Sequence, residues 1–278
     1  HDEERARAIS EGILSADRQR VMDYYRSHLR AGSSVLAVFG NFDAAAIRER
    51  ISRAFAAMPA GRVELPRPGR RQLDAPVAVH VEGTEKTGAA VVVMAPGMRV
   101  SNVDDRIALD VLDTIISGWR LPSGWLHTQL RGAQLVYVVH AYNWAGLAPG
   151  AFMTYAACQG EKAGTVARVI VENLHRAAAY TPTQGEIATA VNTILTARLL
   201  GSQSMGDRAM DAALNELYGL GYDFQDRLEE LYRKVTPADV QRVARQYLDA
   251  GLFVLITTPA PDAVDVREIL DAAGQASP

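Results

Sequence analysis

The sequence has 278 residues, 48% of them hydrophobic, enough for a sizeable core in one large domain or two of ordinary size. A net charge of -3 leaves no broad basic footprint, which argues against nucleic acid or an anionic membrane as partner. The single cysteine, Cys158, excludes an intrachain disulfide framework and a multi-cysteine metal site, and it reads as a small buried apolar residue.

Ser15 is placed to cap a helix running to Leu29, and Gly32 stops it ahead of the apolar run Val35-Leu36-Ala37-Val38-Phe39, a predicted strand. A second helix sets Ile47, Ile51, Phe55 and Met58 at helical spacing and ends before Pro59. The stretch 63–75, with Pro66-Arg67-Pro68-Gly69 and the solvated pair Arg70 and Arg71, reads as an extended linker between a first part, 1–62, and a second domain, 76–278. That domain opens with two predicted strands, Val77 to Val81 and Ala89 to Met94, separated by a short polar turn and read as the start of a hairpin or meander.

A helix follows from Asp104 to Ser117, then a loop from Gly118 to Gly124 and a short helix from Trp125 to Arg131. The strand pair Ala133 to Ala141 and Ala151 to Ala157 precedes helices over 162–179, 183–201 and about 205–218. The last predicted helix opens on Thr236-Pro237-Ala238-Asp239, a capping-box start with proline at the first helical position, and stops at Gly251 before Leu252-Phe253-Val254-Leu255-Ile256. Strands segregated from helices predict an α+β sandwich, a mainly antiparallel sheet with helices on one face.

The two ends of the chain share a plan. At an offset of 222, Gln19-Arg20-Val21 recurs as Gln241-Arg242-Val243 and Tyr25 as Tyr247. After one three-residue gap the offset is 219, and Leu29, Ala31, Gly32, Val35, Leu36, Asp43, Ala44, Arg48 and Glu49 recur as Leu248, Ala250, Gly251, Val254, Leu255, Asp262, Ala263, Arg267 and Glu268. Packing does not demand identity at polar positions such as Arg48 and Glu49, so the pattern reads as a duplicated module. The first copy then lacks its front two-thirds, and its apolar strand should need a partner surface to complete a sheet.

None of the six histidines has a second at the three- or four-residue spacing that puts two ligands on one helical face, and His80, His140 and His175 read as structural. There is no nucleophile elbow, phosphate-binding loop or dinucleotide fingerprint. Gly201-Ser202-Gln203-Ser204-Met205-Gly206 reads as a helix break, and Asp104, Asp105 and Asp110 as helix-start and solvated charges. The segment Ser117 to Tyr142 is richer. Its glycine-bearing loop, Leu126, Leu130-Arg131 and Gln134-Leu135-Val136-Tyr137 resemble the C-terminal homology domain of the insulinase/pitrilysin-type zinc peptidases, a family that includes the mitochondrial processing peptidases and bacterial relatives. Residues 14–61 resemble the end of a preceding homology domain and 76–258 a complete one, so the likeness extends across most of the chain.

The resemblance implies a catalytic zinc on a His-x-x-Glu-His helix in the active domain, and no such motif occurs here. Zinc is therefore expected in a homologous partner domain or subunit, and no cofactor in this chain. The family's second domain contributes an arginine and a tyrosine that reach the substrate near the scissile bond, and these map onto Arg131 and Tyr137, six residues apart where family members usually have seven. A guanidinium and a phenol can both donate to a peptide carbonyl as negative charge develops on it. The chain is expected to be inactive alone, gripping an extended peptide within a homo- or heterodimer or a longer polypeptide; its compartment is not legible in the sequence. The alternative is a scaffold or peptide-binding subunit of the same fold.

No membrane span is expected, because no stretch approaches the roughly 18 consecutive apolar residues one requires. The opening His1-Asp2-Glu3-Glu4-Arg5 does not read as a signal peptide.

Overall fold

The computed structural model describes residues 2–64, 76–119 and 121–274. Most of the predicted linker, 65–75 with Arg70 and Arg71, lies outside them. The chain divides into two compact units: His1–Pro66 with Met205–Tyr222, and Arg67–Ser204 with Asp223–Pro278.

The second unit is built on a five-stranded sheet of β1 (Val77–Gly83), β2 (Gly88–Pro96), β3 (Val136–Trp144), β4 (Ala151–Gln159) and β5 (Leu252–Thr258), in the order β1-β5-β2-β4-β3. β1 pairs parallel with β5; the other three pairings are antiparallel, as the predicted α+β architecture requires. The expected hairpin does not form. β5 lies between β1 and β2, from Val77↔Leu252 to Gly83↔Thr258 on one side and from Ala90↔Thr257 to Met94↔Phe253 on the other. The short turn after Gly83 therefore crosses a whole strand, because an apolar strand buried on one face and bonded on both edges outcompetes the direct pairing.

Burial alternates strictly along β2, β4 and β5, which marks one covered face. Val91, Val93, Phe152, Ala156, Val254 and Ile256 point into it and are fully buried. Helices α4 (Val103–Ser117), α6 (Ala163–Ala179), α10 (Pro237–Leu248) and α11 (Val266–Gly274) pack there. Helices α7 (Gln184–Gly201) and α10 each start with a full capping box, Thr183 with Glu186 and Thr236 with Asp239. Helix α9 (Phe224–Arg233) escaped the sequence reading although Phe224, Leu228, Leu231 and Tyr232 stand at helical spacing; it buries Phe224, Leu228 and Tyr232. Contrary to the expectation of a solvated face, Asp110 on α4 is buried. Tyr232 donates to its Oδ2 at 2.6 Å and Asn143 of β3 to its Oδ1 at 2.9 Å, while Arg198 of α7 donates to the Tyr232 hydroxyl at 3.1 Å. Burial pushes the Asp110 carboxyl above its ordinary range, and these donors oppose the shift.

The first unit contains α1 (Asp2–Leu14), α2 (Arg18–His28), α3 (Ala44–Ala54) and α8 (Met205–Leu217). Asp17 rather than Ser15 caps α2, accepting from the Arg20 N–H at 2.8 Å, while Ser15 donates back to the Gly12 carbonyl of α1. A 3₁₀ turn, Ala31–Ser33, follows α2, and the predicted strand Val35 to Phe39 is irregular, with no ladder among the described residues. Not one residue between 6 and 64 is buried.

The Tyr232→Phe variant should lose about 2 kcal/mol of stability, the value of a hydrogen bond to a buried charge. That corresponds to a Tm lower by roughly 4–8 °C, readable by calorimetry.

Candidate functional site

Arg131 and Tyr137 lie on either side of the turn that leads into β3. Before it, the predicted helix forms as one α turn, α5 (Gly124–Leu126), continued by a π-helical stretch, His127–Arg131. Gly132 N–H donates to the His127 carbonyl at 2.9 Å and Leu135 N–H to that of Leu130 at 2.8 Å, both spanning five residues. The wider π turn absorbs one extra residue and commonly marks a functional site. Gly132 permits it: a Cβ there would lie 2.4 Å from the Thr128 carbonyl oxygen. Gln134 closes the turn with φ at +56°, an unusual conformation for a side chain that large. The expectation that the strand begins at Ala133 fails here, since this turn delays β3 to Val136.

β3 is an edge strand and begins with a β-bulge. Val136 pairs with Cys158 and Val138 with Ala157, which leaves Tyr137 as the extra residue. A bulge turns its side chain away from the regular alternation. Val136 and Val139 thus both reach the covered face while Tyr137 stays 63% exposed. Arg131 is exposed too. Neither side chain has a hydrogen bond or ion pair with any described residue, so both sets of donors are available to a ligand. A helix and a strand each carry a one-residue irregularity beside one of the two residues. Neither irregularity has a compositional signature, which is why sequence reasoning missed both.

The helix beneath Arg131 is firmly held. Leu126 and Leu130 are fully buried, the Arg176 guanidinium lies 4.1 Å over the Trp125 ring, and Trp125 meets Tyr180 edge-on at 4.9 Å. The Tyr180 hydroxyl donates to Glu186 at 2.7 Å and Asn173 to Gln129 at 2.9 Å, so α6 and α7 both anchor it. Gly124 opens the helix with φ at +86°, as only glycine does without strain.

His127 is 6% exposed, and its ring lies 5.8 Å from that of His140 on β3. Neither ring nitrogen of His127, nor Nδ1 of His140, has a hydrogen-bond partner. Burial first, then His140 and Arg131, hold His127 below the ordinary histidine range. Burial pushes the Cys158 thiol up to about 11, which makes it inert. Among the described residues no group of three or more His, Cys, Asp or Glu side chains is placed to hold a metal. No helix among them is long and apolar enough to cross a membrane.

This sheet with its helices on one face defines the class: an α+β domain built on a five-stranded, mainly antiparallel sheet. The sequence profile of the peptidase M16 inactive domain matches residues 15–194, and the chain belongs to that family. No functionally curated protein matches the sequence. Among solved structures, the peptidase M16 inactive domain from Pseudomonas fluorescens superposes with a TM-score of 0.74 at 14% identity, over 88% of this chain and 58% of that one. A protease from Helicobacter pylori gives 0.69 at 14% identity, over 90% and 60%. A chain of complex III2 from Candida albicans gives 0.67 at 15% identity, over 84% and 57%. This chain therefore spans somewhat more than half the length of the structures it resembles.

Two outcomes test the local geometry. Gly132→Ala drives a methyl into the Thr128 carbonyl, so the π turn must shift; hydrogen exchange at residues 127–136 should accelerate while that of α10 stays unchanged. Because the unfolded chain takes up a proton more readily than buried His127, its contribution leaves stability unaffected above about pH 6.5 and lowers it as pH falls below that value. Urea unfolding at pH 7.5 and 5.5 should show a larger acid loss for the wild type than for His127→Gln.

Proposed function

We propose that this chain is the zinc-free, substrate-gripping part or subunit of an M16 metalloendopeptidase, and that Arg131 and Tyr137 bind and polarise an extended peptide while a homologous domain or subunit supplies zinc. The observation that carries the reading is the display of these two side chains: exposed, free of intramolecular partners, and each set beside a one-residue irregularity. The guanidinium offers a fork of fixed donors and the phenol a single one. Both can donate to a peptide carbonyl oxygen, and the bulge takes Tyr137 out of the strand's regular alternation. Donors pre-positioned where negative charge develops lower the barrier without reorganising at the moment of reaction. Membership of the inactive-domain family supports a role apart from the metal.

A second reading, a non-catalytic scaffold or peptide-binding subunit of the same fold, is favoured by the structural likeness to a chain of complex III2. The same fold would then be used for its surfaces alone.

The two part on one experiment. In the assembled enzyme, Arg131→Ala and Tyr137→Phe should each lower kcat/KM by about a hundredfold, the value of one pre-positioned donor, with metal content unchanged. Turnover equal to wild type in both variants would leave the scaffold reading standing. The isolated chain should not cleave peptides; cleavage by zinc-loaded chain alone would overturn the division of labour.

A further inference from the structure

The turn that displays Arg131 rests on two histidines. His127 begins the π-helical stretch that Arg131 ends, and the Gly132 N–H that closes it donates to the His127 carbonyl. The buried His127 ring faces that of His140 on β3, the strand into which the turn leads. Two neutral rings fit there, but a charged one does not. An imidazolium has two N–H donors and needs an acceptor for each. Both nitrogens of His127 and Nδ1 of His140 are buried without a hydrogen-bond partner, and only the Val139 backbone draws a proton toward His127. The charges that act on His127, those of His140 and Arg131, are both cationic. The neighbouring elements supply no counter-charge. On α4, Asp113 accepts from Ser117 at 2.6 Å; on α6, Glu172 pairs with Arg168 and Arg176 lies over the Trp125 ring; on β3, Tyr142 flanks His140 with ring centroids 6.1 Å apart. None of these is among the charges acting on His127. The turn is also the part of this unit readiest to move, being π-helical, closed by Gln134 at a φ of +56° and followed by a bulged edge strand.

We propose that His127 and His140 form an acid-sensitive latch beneath this turn: while both rings are neutral the π stretch stays against β3 with Arg131 in place, and a proton on either ring releases the stretch and Arg131 with it. The driving force is solvation. A buried imidazolium beside a second ring and a guanidinium is relieved by the smallest motion that brings it to water, and for His127 that motion is a lift of residues 127–132 away from β3. In the open turn His127 regains an ordinary histidine's affinity for protons, whereas the closed turn binds one less readily. The closed form is therefore fully favoured above about pH 6.5 and loses ground as pH falls below it. One histidine released in this way shifts the opening equilibrium by up to about tenfold between pH 7.5 and 5.5. The latch regulates the site proposed above, and it rests on that reading only in taking Arg131 to grip peptide.

The test reads amide hydrogen exchange of Gly132 and Leu135, the N–H groups that close the π turn, in the full chain at pH 7.5 and 5.5, corrected for the intrinsic pH dependence of exchange. Their protection should drop by about tenfold at the lower pH while that of α10 holds. The drop should be lost in His127→Gln and smaller in His140→Gln. Protection that does not change with pH, that falls equally in α10, or that falls as far in both variants as in the wild type overturns the latch. A titration of the His127 ring protons by NMR needs no variant. Its midpoint should coincide with the loss of protection, and a ring that titrates with no change at Gly132 and Leu135 overturns the latch as well. Acid loss of protection alongside wild-type turnover of Arg131→Ala in the assembled enzyme would keep the latch and remove the gripping role instead.

Discussion

The second unit depends on the insertion of β5 between β1 and β2. Until Leu252–Thr258 is in place, the first two strands have no shared ladder, and the apolar faces of α6 and α10 have no complete sheet to cover. The contact is as non-local as this unit allows, joining its first strand to its last, so sheet formation must pay a long loop closure before any bonding rewards it. Stability is correspondingly concentrated there: Leu252, Val254 and Ile256 are fully buried, and Thr258 ends the strand with its hydroxyl donating to the Gly160 carbonyl. The candidate site sits at the opposite end of the sheet order, on edge strand β3. There irregular backbone is tolerated, because one side of the strand carries no ladder to disrupt.

That separation explains how the turn can hold a π stretch, a bulge and a left-handed Gln134 in a few residues. Each costs stability locally, and the cost is offset by rigid supports nearby rather than by the turn itself. Leu126 and Leu130 anchor the helix from below, Trp125 is clasped between Arg176 and Tyr180, and Asn143 ties the far end of β3 to Asp110. Exposed side chains on a rigid base suit recognition, since the backbone is already ordered and only the side chains' own rotamer entropy is lost on binding.

Much of the fold was legible in the sequence because it rests on local rules. Runs of apolar and β-branched residues marked β2 and β4, and the Thr236–Asp239 box marked the start of α10. Three things were not legible, for three physical reasons. Which strand pairs with β1 is decided across most of the unit's length, and no local pattern reports it. Helix α9 has 10 residues, fewer than the window of about 11–18 over which helical periodicity is read, so its apolar stripe of Phe224, Leu228, Leu231 and Tyr232 passed unmarked. The π turn and the bulge are insertions of single residues, visible only in hydrogen-bond register.

Val35 to Phe39 is the instructive case, because its pattern reads as a strand and its surroundings withhold one. Propensity makes an extended apolar segment ready to pair, yet a strand is a relation between chains of atoms, and its bonds exist only when a neighbour supplies the other half. The same holds one level up for α2. Val21 carries the apolar character of Val243 without the α4 and α6 surface that buries Val243. Sequence specifies which side chains are fit for a core, while burial is decided by what else is present.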